Sequence, residues 1–127
     1  MIESMTFPAT PASIASTREF ARGVVTEAPD EARDAMILMI SELATNAVRH
    51  ARTDFTVTTT HTESMVEVSV SDHGGGTPLK RDPPHTEPTG RGLLIVDTFS
   101  DEWGITRSGR TTVIWFRLAY AKHRQTT

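Results

Sequence analysis

The chain contains no cysteine. Disulfide scaffolds, thiol catalysis, zinc fingers and iron–sulfur ligation are excluded together. It also lacks any apolar run approaching the roughly 20 residues of a membrane-spanning helix. Its opening stretch, MIESMTFPATPASIAS, has neither a basic n-region nor an apolar h-region. A surplus of positive charge is missing as well. Thirteen Lys and Arg stand against sixteen Asp and Glu, a net charge of −3, and no basic block is available to neutralise phosphates. These absences predict a cytoplasmic protein that uses neither a nucleic acid nor a membrane as its partner. Several nucleotide and hydrolase signatures are absent too. There is no P-loop, no strand-linked GxGxxG, no HExxH and no GxSxG.

What remains is an ordinary globular mixture, 37% hydrophobic and 23% charged over 127 residues. That is enough chain for one core, so the expectation is a single domain spanning residues 1–127. Pro8 and Pro11 limit the start to a short edge strand around Thr6 and Phe7. A helix follows from about Ala12 to Val25, its apolar side supplied by Ile14, Phe20, Ala21, Val24 and Val25. Arg18 and Arg22, one turn apart, are read as its solvated face.

From Glu31 to about Ala51 the pattern predicts one long helix. Spacing residues at 100° puts Ala32, Met36, Met39, Ile40, Leu43 and Ala47 on one face. Asn46 and His50 point out of that stripe, with Glu42 at its edge. A buried amide there must find a partner, whereas His50 reads as a packing or capping histidine near the helix end. The period then shortens to two. Phe55 and Val57, then Val66, Val68 and Val70, alternate with polar residues as a hairpin turning near His61 to Ser64. Asp72 shares the parity of the three valines, so its carboxylate is expected on the core side.

Residues 73 to 90 are rich in Gly, Pro and charge and read as a loop of functional length. A short helix is expected from about Gly92 to Phe99. Two strands, Glu102 to Arg107 and Thr111 to Ala119, close the chain around a turn at Ser108 and Gly109. Trp103 and Trp115 are read as core aromatics, and the tail from Lys122 as polar and frayed. The fold class implied is α/β (α+β): a two-layer sandwich with helices packed on one face of a mostly antiparallel sheet.

Three segments ask for more than packing: Glu42–His50, Asp72–Gly76 and Gly90–Leu93. Glu42 and Asn46 offer oxygens of the kind Mg²⁺ prefers, directly or through its water shell. An ionised Asp72 is acceptor-only and wants an N–H donor such as an adenine amino group. The glycines at 74, 75 and 76 let the backbone lie against a flat ring. The sequence TGRGL opens a helix, and the exposed amides of a helix start bind phosphate well. Glu42 is then the well-placed general base for a hydroxyl or water.

These segments carry a family resemblance. ELATNAVRH at 42–50 resembles the N box of the histidine-kinase-like ATPases, whose architecture is the Bergerat ATP-binding (GHKL) fold. DHGGG at 72–76 and TGRGL at 89–93 are similar to that group's two glycine boxes, in the same order. RGLLIVDTFSDEWGI and TTVIWFRL resemble in particular the small bacterial anti-sigma-factor serine kinases and their actinobacterial relatives. The resemblance implies that Asn46 coordinates Mg²⁺ and that Glu42 activates the attacking hydroxyl. It further implies that Asp72 accepts the adenine N6 amino group, with Gly74 and Gly76 shaping the base pocket. Gly90, Arg91 and Gly92 would line the phosphates. The cofactors implied are ATP and Mg²⁺. The partners implied are a sigma factor, a STAS-type anti-anti-sigma protein phosphorylated on serine, and a second copy of the chain as a homodimer. Only about a dozen residues, 77–88, separate the glycine boxes, so a lid would be small. With no phospho-acceptor helix or sensor segment recognised, the expectation is a kinase acting in trans, the alternative being a nucleotide-binding regulatory module that transfers nothing.

Overall fold

The computed structural model describes residues 1–24, 28–74 and 88–120, with side chains in the last segment from Gly92 onward. The elements run β1 (Ile2–Phe7), α1 (Ala12–Val24), α2 (Asp30–Asn46), a π-helical turn (Ala47–Ala51), β2 (Phe55–His61), β3 (Met65–Asp72), α3 (Pro88–Phe99), β4 (Glu102–Ser108) and β5 (Thr111–Ala119). The five strands form one sheet in the order β1-β2-β3-β5-β4, and every neighbouring pair is antiparallel. The helices cover one face of it, as the alternation of the strands requires.

That alternation decides which residues face the helices. Phe55, Val57 and Thr59 of β2, Val66, Val68 and Val70 of β3, and Phe116 and Leu118 of β5 are all buried. Opposite them lie Met36, Met39, Ile40, Leu43, Ala44 and Ala47 of α2 and its extension, and Val96 of α3. Full burial of each such aliphatic side chain is worth about 1.5–3 kcal/mol. Phe7 closes the end of this core, stacked on Phe55 at 5.6 Å and edge-on to Phe20 at 6.1 Å.

Several expectations need correction. β1 is an edge strand containing Thr6 and Phe7, as expected, but it reaches back to Ile2 over six residues, with Pro8 just beyond its last pairing, Phe7 with Phe55. The long second helix does not stay α-helical to Ala51. The amide of Arg52 donates to the carbonyl of Ala47, five residues back, at 3.0 Å, and Arg52 leaves the helix with a left-handed φ of 61°. The wider turn carries His50 off the buried stripe, so it is exposed instead of packed or capping. The third helix starts at Pro88, four residues before the expected Gly92, since proline suits a first helical position. The last hairpin turns at Gly109 and Arg110, between the paired Ser108 and Thr111, with Gly109 supplying a φ of 63°.

Trp103 packs against the core as expected, and its indole N–H donates to Asp97 at 2.8 Å. Trp115 does not. It alternates with the buried Phe116, so its ring lies on the other face of the sheet. There it covers Gly104 and sits 5.4 Å from the Arg117 guanidinium, which also bonds Glu67 and Glu102. Arg18 is half-buried, donating to the Ser41 hydroxyl at 3.1 Å, while Arg22 pairs with Glu19 on the surface. Val25 and the tail from Lys122 lie outside the described residues.

Candidate functional site

One end of the sandwich gathers the C-terminal end of α2, the π-helical turn, the end of β3 and the start of α3. The periodicity that buries Met39 and Leu43 also carries Asn46 inward. Asn46 is 8% exposed, and among the described residues its Nδ2 has no hydrogen-bond partner. A buried amide group left unpaired costs on the order of 1–3 kcal/mol. Glu42, one turn earlier on α2, is half-buried.

Two glycines bring the other segments onto this helix end. A Cβ on Gly92 would lie 3.1 Å from Asn46 Nδ2 and 3.5 Å from its Oδ1, so α3 begins directly against the Asn46 amide. A Cβ on Gly74 would lie 2.6 Å from Ala51 Cα and 2.9 Å from its carbonyl oxygen, so the residue after the β3 strand and its one-residue link rests on the backbone of the π-helical turn. In both places glycine is required by close approach of another chain segment, not by its own φ.

Asp72 ends β3 between Phe55 of β2 and Thr112 of β5. It is half-buried, the core-side orientation that its parity with Val66, Val68 and Val70 predicts. Its Oδ1 accepts the Gly74 amide at 3.0 Å. His73 is held from two sides, by the connection before β2 and by the start of β5. Its amide donates to Thr53 Oγ1 at 3.1 Å, and its Nδ1 lies 3.1 Å from Thr111 Oγ1.

The sequence-based candidates therefore divide. Asn46 and Gly92 are in contact, Glu42 lies one turn from Asn46, and Asp72 and Gly74 are joined to the same helix end through Ala51. Gly90 falls in the first turn of α3, a helix rather than a loop preceding one. The Arg91 side chain and Gly76 lie outside the described residues. The residues that sequence reasoning missed are Ala51, Thr53, Thr111 and Thr112. The threonines lie in no box, and only strand register shows that Thr111 and Thr112 sit beside residues 72 and 73.

This donor set suits a hydrated Mg²⁺. The ion needs octahedral oxygen ligation, keeps several waters, and takes few protein ligands besides substrate phosphates. The Asn46 amide supplies one such oxygen, and Glu42, one turn earlier on the same helix, offers a carboxylate that would suit the water shell. Among the described residues no three His, Asp or Glu side chains converge as an all-protein metal cage. Nor is any described helix long and apolar enough to cross a membrane.

Comparison with known proteins agrees with this geometry. No curated protein sequence matches the chain. Among solved structures it is similar to the RsbU and RsbW domains of a Mycobacterium tuberculosis protein, with a TM-score of 0.73 and 20% identity. That alignment covers all of this chain but 35% of the other, so this chain spans about a third of that structure's length. It also resembles the blue-light activated histidine kinase of Erythrobacter litoralis, with a TM-score of 0.57 and 24% identity over 84% of this chain and 39% of that one. The histidine kinase AdeS of Acinetobacter baumannii gives a TM-score of 0.56 at 11% identity, covering 94% of this chain and 68% of that one. At these identities the likenesses establish the fold. The model of the histidine kinase-like ATPase domain matches residues 7–118, nearly the whole chain, and the chain belongs to that family.

Proposed function

We propose that the chain binds ATP–Mg²⁺ at the α2–α3 end of the sandwich and transfers the γ-phosphoryl group to a serine of a partner protein. In this reading it is an anti-sigma factor in a partner-switching system, and the phosphorylated protein is its STAS-type antagonist. The observation that carries the nucleotide site is the buried Asn46 amide, unpaired at Nδ2 and in contact with Gly92. The unpaired Nδ2 is a donor, which a phosphate oxygen or a water of the metal's shell would complete, leaving the amide oxygen for Mg²⁺. The similarity to a structure containing an RsbW domain supports the choice of serine kinase over histidine kinase.

Each residue then has one task. The Asp72 carboxylate accepts the exocyclic amino group of adenine, and Gly74 lets the chain lie flat beside the base. Gly76 is assigned to the same pocket by the motif it belongs to, and Gly90, Arg91 and Gly92 are assigned to the phosphates because backbone amides and the dipole at a helix start favour anions. Asn46 holds Mg²⁺, which when bound neutralises charge on the β- and γ-phosphates. Glu42 receives the proton of the attacking serine hydroxyl. The remainder of catalysis is positioning of serine against phosphate.

Calorimetric titration with ATP and ADP, with and without Mg²⁺, tests the site. Wild-type protein is expected to bind adenine nucleotide saturably. Asp72→Asn loses most of that binding, and Asn46→Ala loses mainly its Mg²⁺-dependent part. Incubation with ATP and a candidate antagonist should yield phosphoserine, lost in Glu42→Ala while nucleotide still binds. Tight nucleotide binding with no transfer to any candidate would replace the kinase by a regulatory binding module.

A further inference from the structure

Asp72 is followed, after His73, by three consecutive glycines, the most conformationally free sequence in the chain. A carboxylate that must meet one edge of a planar base needs its backbone fixed at that point. The residue between Asp72 and Gly74 is His73, and both of its hydrogen-bonding handles are occupied. Thr53, in the connection between the π-helical turn and β2, accepts its amide at 3.1 Å. Thr111, the first residue of β5, meets its Nδ1 at 3.1 Å. Since β3 runs between β2 and β5, these bonds tie the first residue beyond β3 to the chain on either side of it. They do so while His73 itself is exposed and buries little apolar surface, so the stability of the core gains little from them.

We propose that Thr53, His73 and Thr111 form a positioning clamp that fixes the orientation of the Asp72 carboxylate and so sets affinity and selectivity for the adenine base. The clamp acts through Asp72 and does not itself touch the nucleotide. The Asp72–Gly74 hydrogen bond of 3.0 Å is its product: with His73 held on both sides, the Gly74 amide is presented to Oδ1, and Oδ2 is the oxygen assigned to the base. The proposal rests on the reading of Asp72 as the base-binding group.

The test uses ADP, and GDP as the selectivity probe, on the intact chain. Losing one hydrogen bond of the clamp should weaken ADP binding roughly 3–10-fold in Thr111→Val and in His73→Ala. Thr111→Ser, which keeps the hydroxyl, should restore it. The Thr111→Val, His73→Ala double variant should bind no worse than His73→Ala alone, because both remove one interaction. Preference for ADP over GDP should fall along with affinity, and the melting temperature should stay close to that of wild type. Hydrogen exchange without nucleotide should show faster exchange of the His73 amide in Thr53→Val than in wild type.

Wild-type affinity in Thr111→Val, additive losses in the double variant, or failure of Thr111→Ser to rescue would each overturn the clamp while leaving the base site standing. No ADP binding by folded wild-type protein would overturn the base-site reading and the proposal together, so the two failures are distinguishable.

Discussion

The start of α3 meets α2 where Gly92 faces the Asn46 side chain, and an added Cβ there would stand 3.1 Å from Nδ2. That separation is tighter than an ordinary carbon–nitrogen contact, yet the atom in the way belongs to a side chain and not to the backbone. Gly92→Ala is therefore expected to fold, with the Asn46 amide displaced by a few tenths of an ångström. Mg²⁺-dependent nucleotide affinity should drop, while binding measured without Mg²⁺ should change far less. Calorimetry at saturating and zero Mg²⁺ separates the two. Equal loss in both conditions would mean that Gly92 serves the phosphates and not Asn46.

Gly74 poses a harder constraint. The atoms facing its missing Cβ are Ala51 Cα at 2.6 Å, Ala51 Cβ at 2.7 Å and Ala51 O at 2.9 Å, two of them backbone. Gly74→Ala must push the π-helical turn or the end of β3 aside, and overpacking of this kind costs about 1–3 kcal/mol. Denaturant unfolding should show that loss, and nucleotide binding should fall with it. Ala51→Gly removes only the Cβ, so it is expected not to rescue Gly74→Ala. Full rescue would place the conflict in the Ala51 side chain.

The sequence was legible wherever one period governed a stretch of chain. The valines of β3 and the Met36, Met39, Ile40, Leu43 stripe of α2 located the two layers, and the same stripe exposed Asn46 as a polar residue in an apolar place. It failed where long-range contact overrode local pattern. The π-helical turn has no signature in AVRHA, since what fixes it is the left-handed Arg52 and the approach of Gly74, some twenty residues later. Trp115 is apolar and on a central strand, but alternation with Phe116 assigns it to the outer face, and the space it fills there exists only because Gly104 is its cross-strand neighbour. Thr53 and Thr111 were invisible for a related reason: their meaning depends on register with residue 73, which no local motif encodes.

The Trp115–Gly104 pair makes its own prediction. A Cβ on Gly104 would lie 2.9 Å from the indole Nε1 and 3.1 Å from Cε2. Gly104→Ala should therefore tilt the ring off the sheet and destabilise the fold by about 1–2 kcal/mol, despite alanine's smaller backbone entropy cost. In a Trp115→Val background the same substitution should be neutral or slightly stabilising, and chemical denaturation of the four proteins measures the coupling. Independent effects at the two positions would show that the ring has room to move.

Asn46 offers the sharpest separation of stability from function. Leucine has as many side-chain heavy atoms as asparagine, with methyl groups in place of Oδ1 and Nδ2 and no polar atom to leave unpaired. Replacing a buried polar group that lacks a partner by an apolar one removes its desolvation penalty, so Asn46→Leu should stabilise the nucleotide-free protein by about 1 kcal/mol. Its melting temperature should rise while Mg²⁺-dependent nucleotide binding disappears. Addition of ATP and Mg²⁺ should raise the melting temperature of wild type, as any ligand of the native state does, and should leave the variant's far less changed. Thermal unfolding of both proteins, with and without ATP–Mg²⁺, decides the matter. A variant less stable than wild type in the absence of nucleotide would mean that the Asn46 amide is already satisfied within the fold, and the argument that its burial is kept for a ligand would fail.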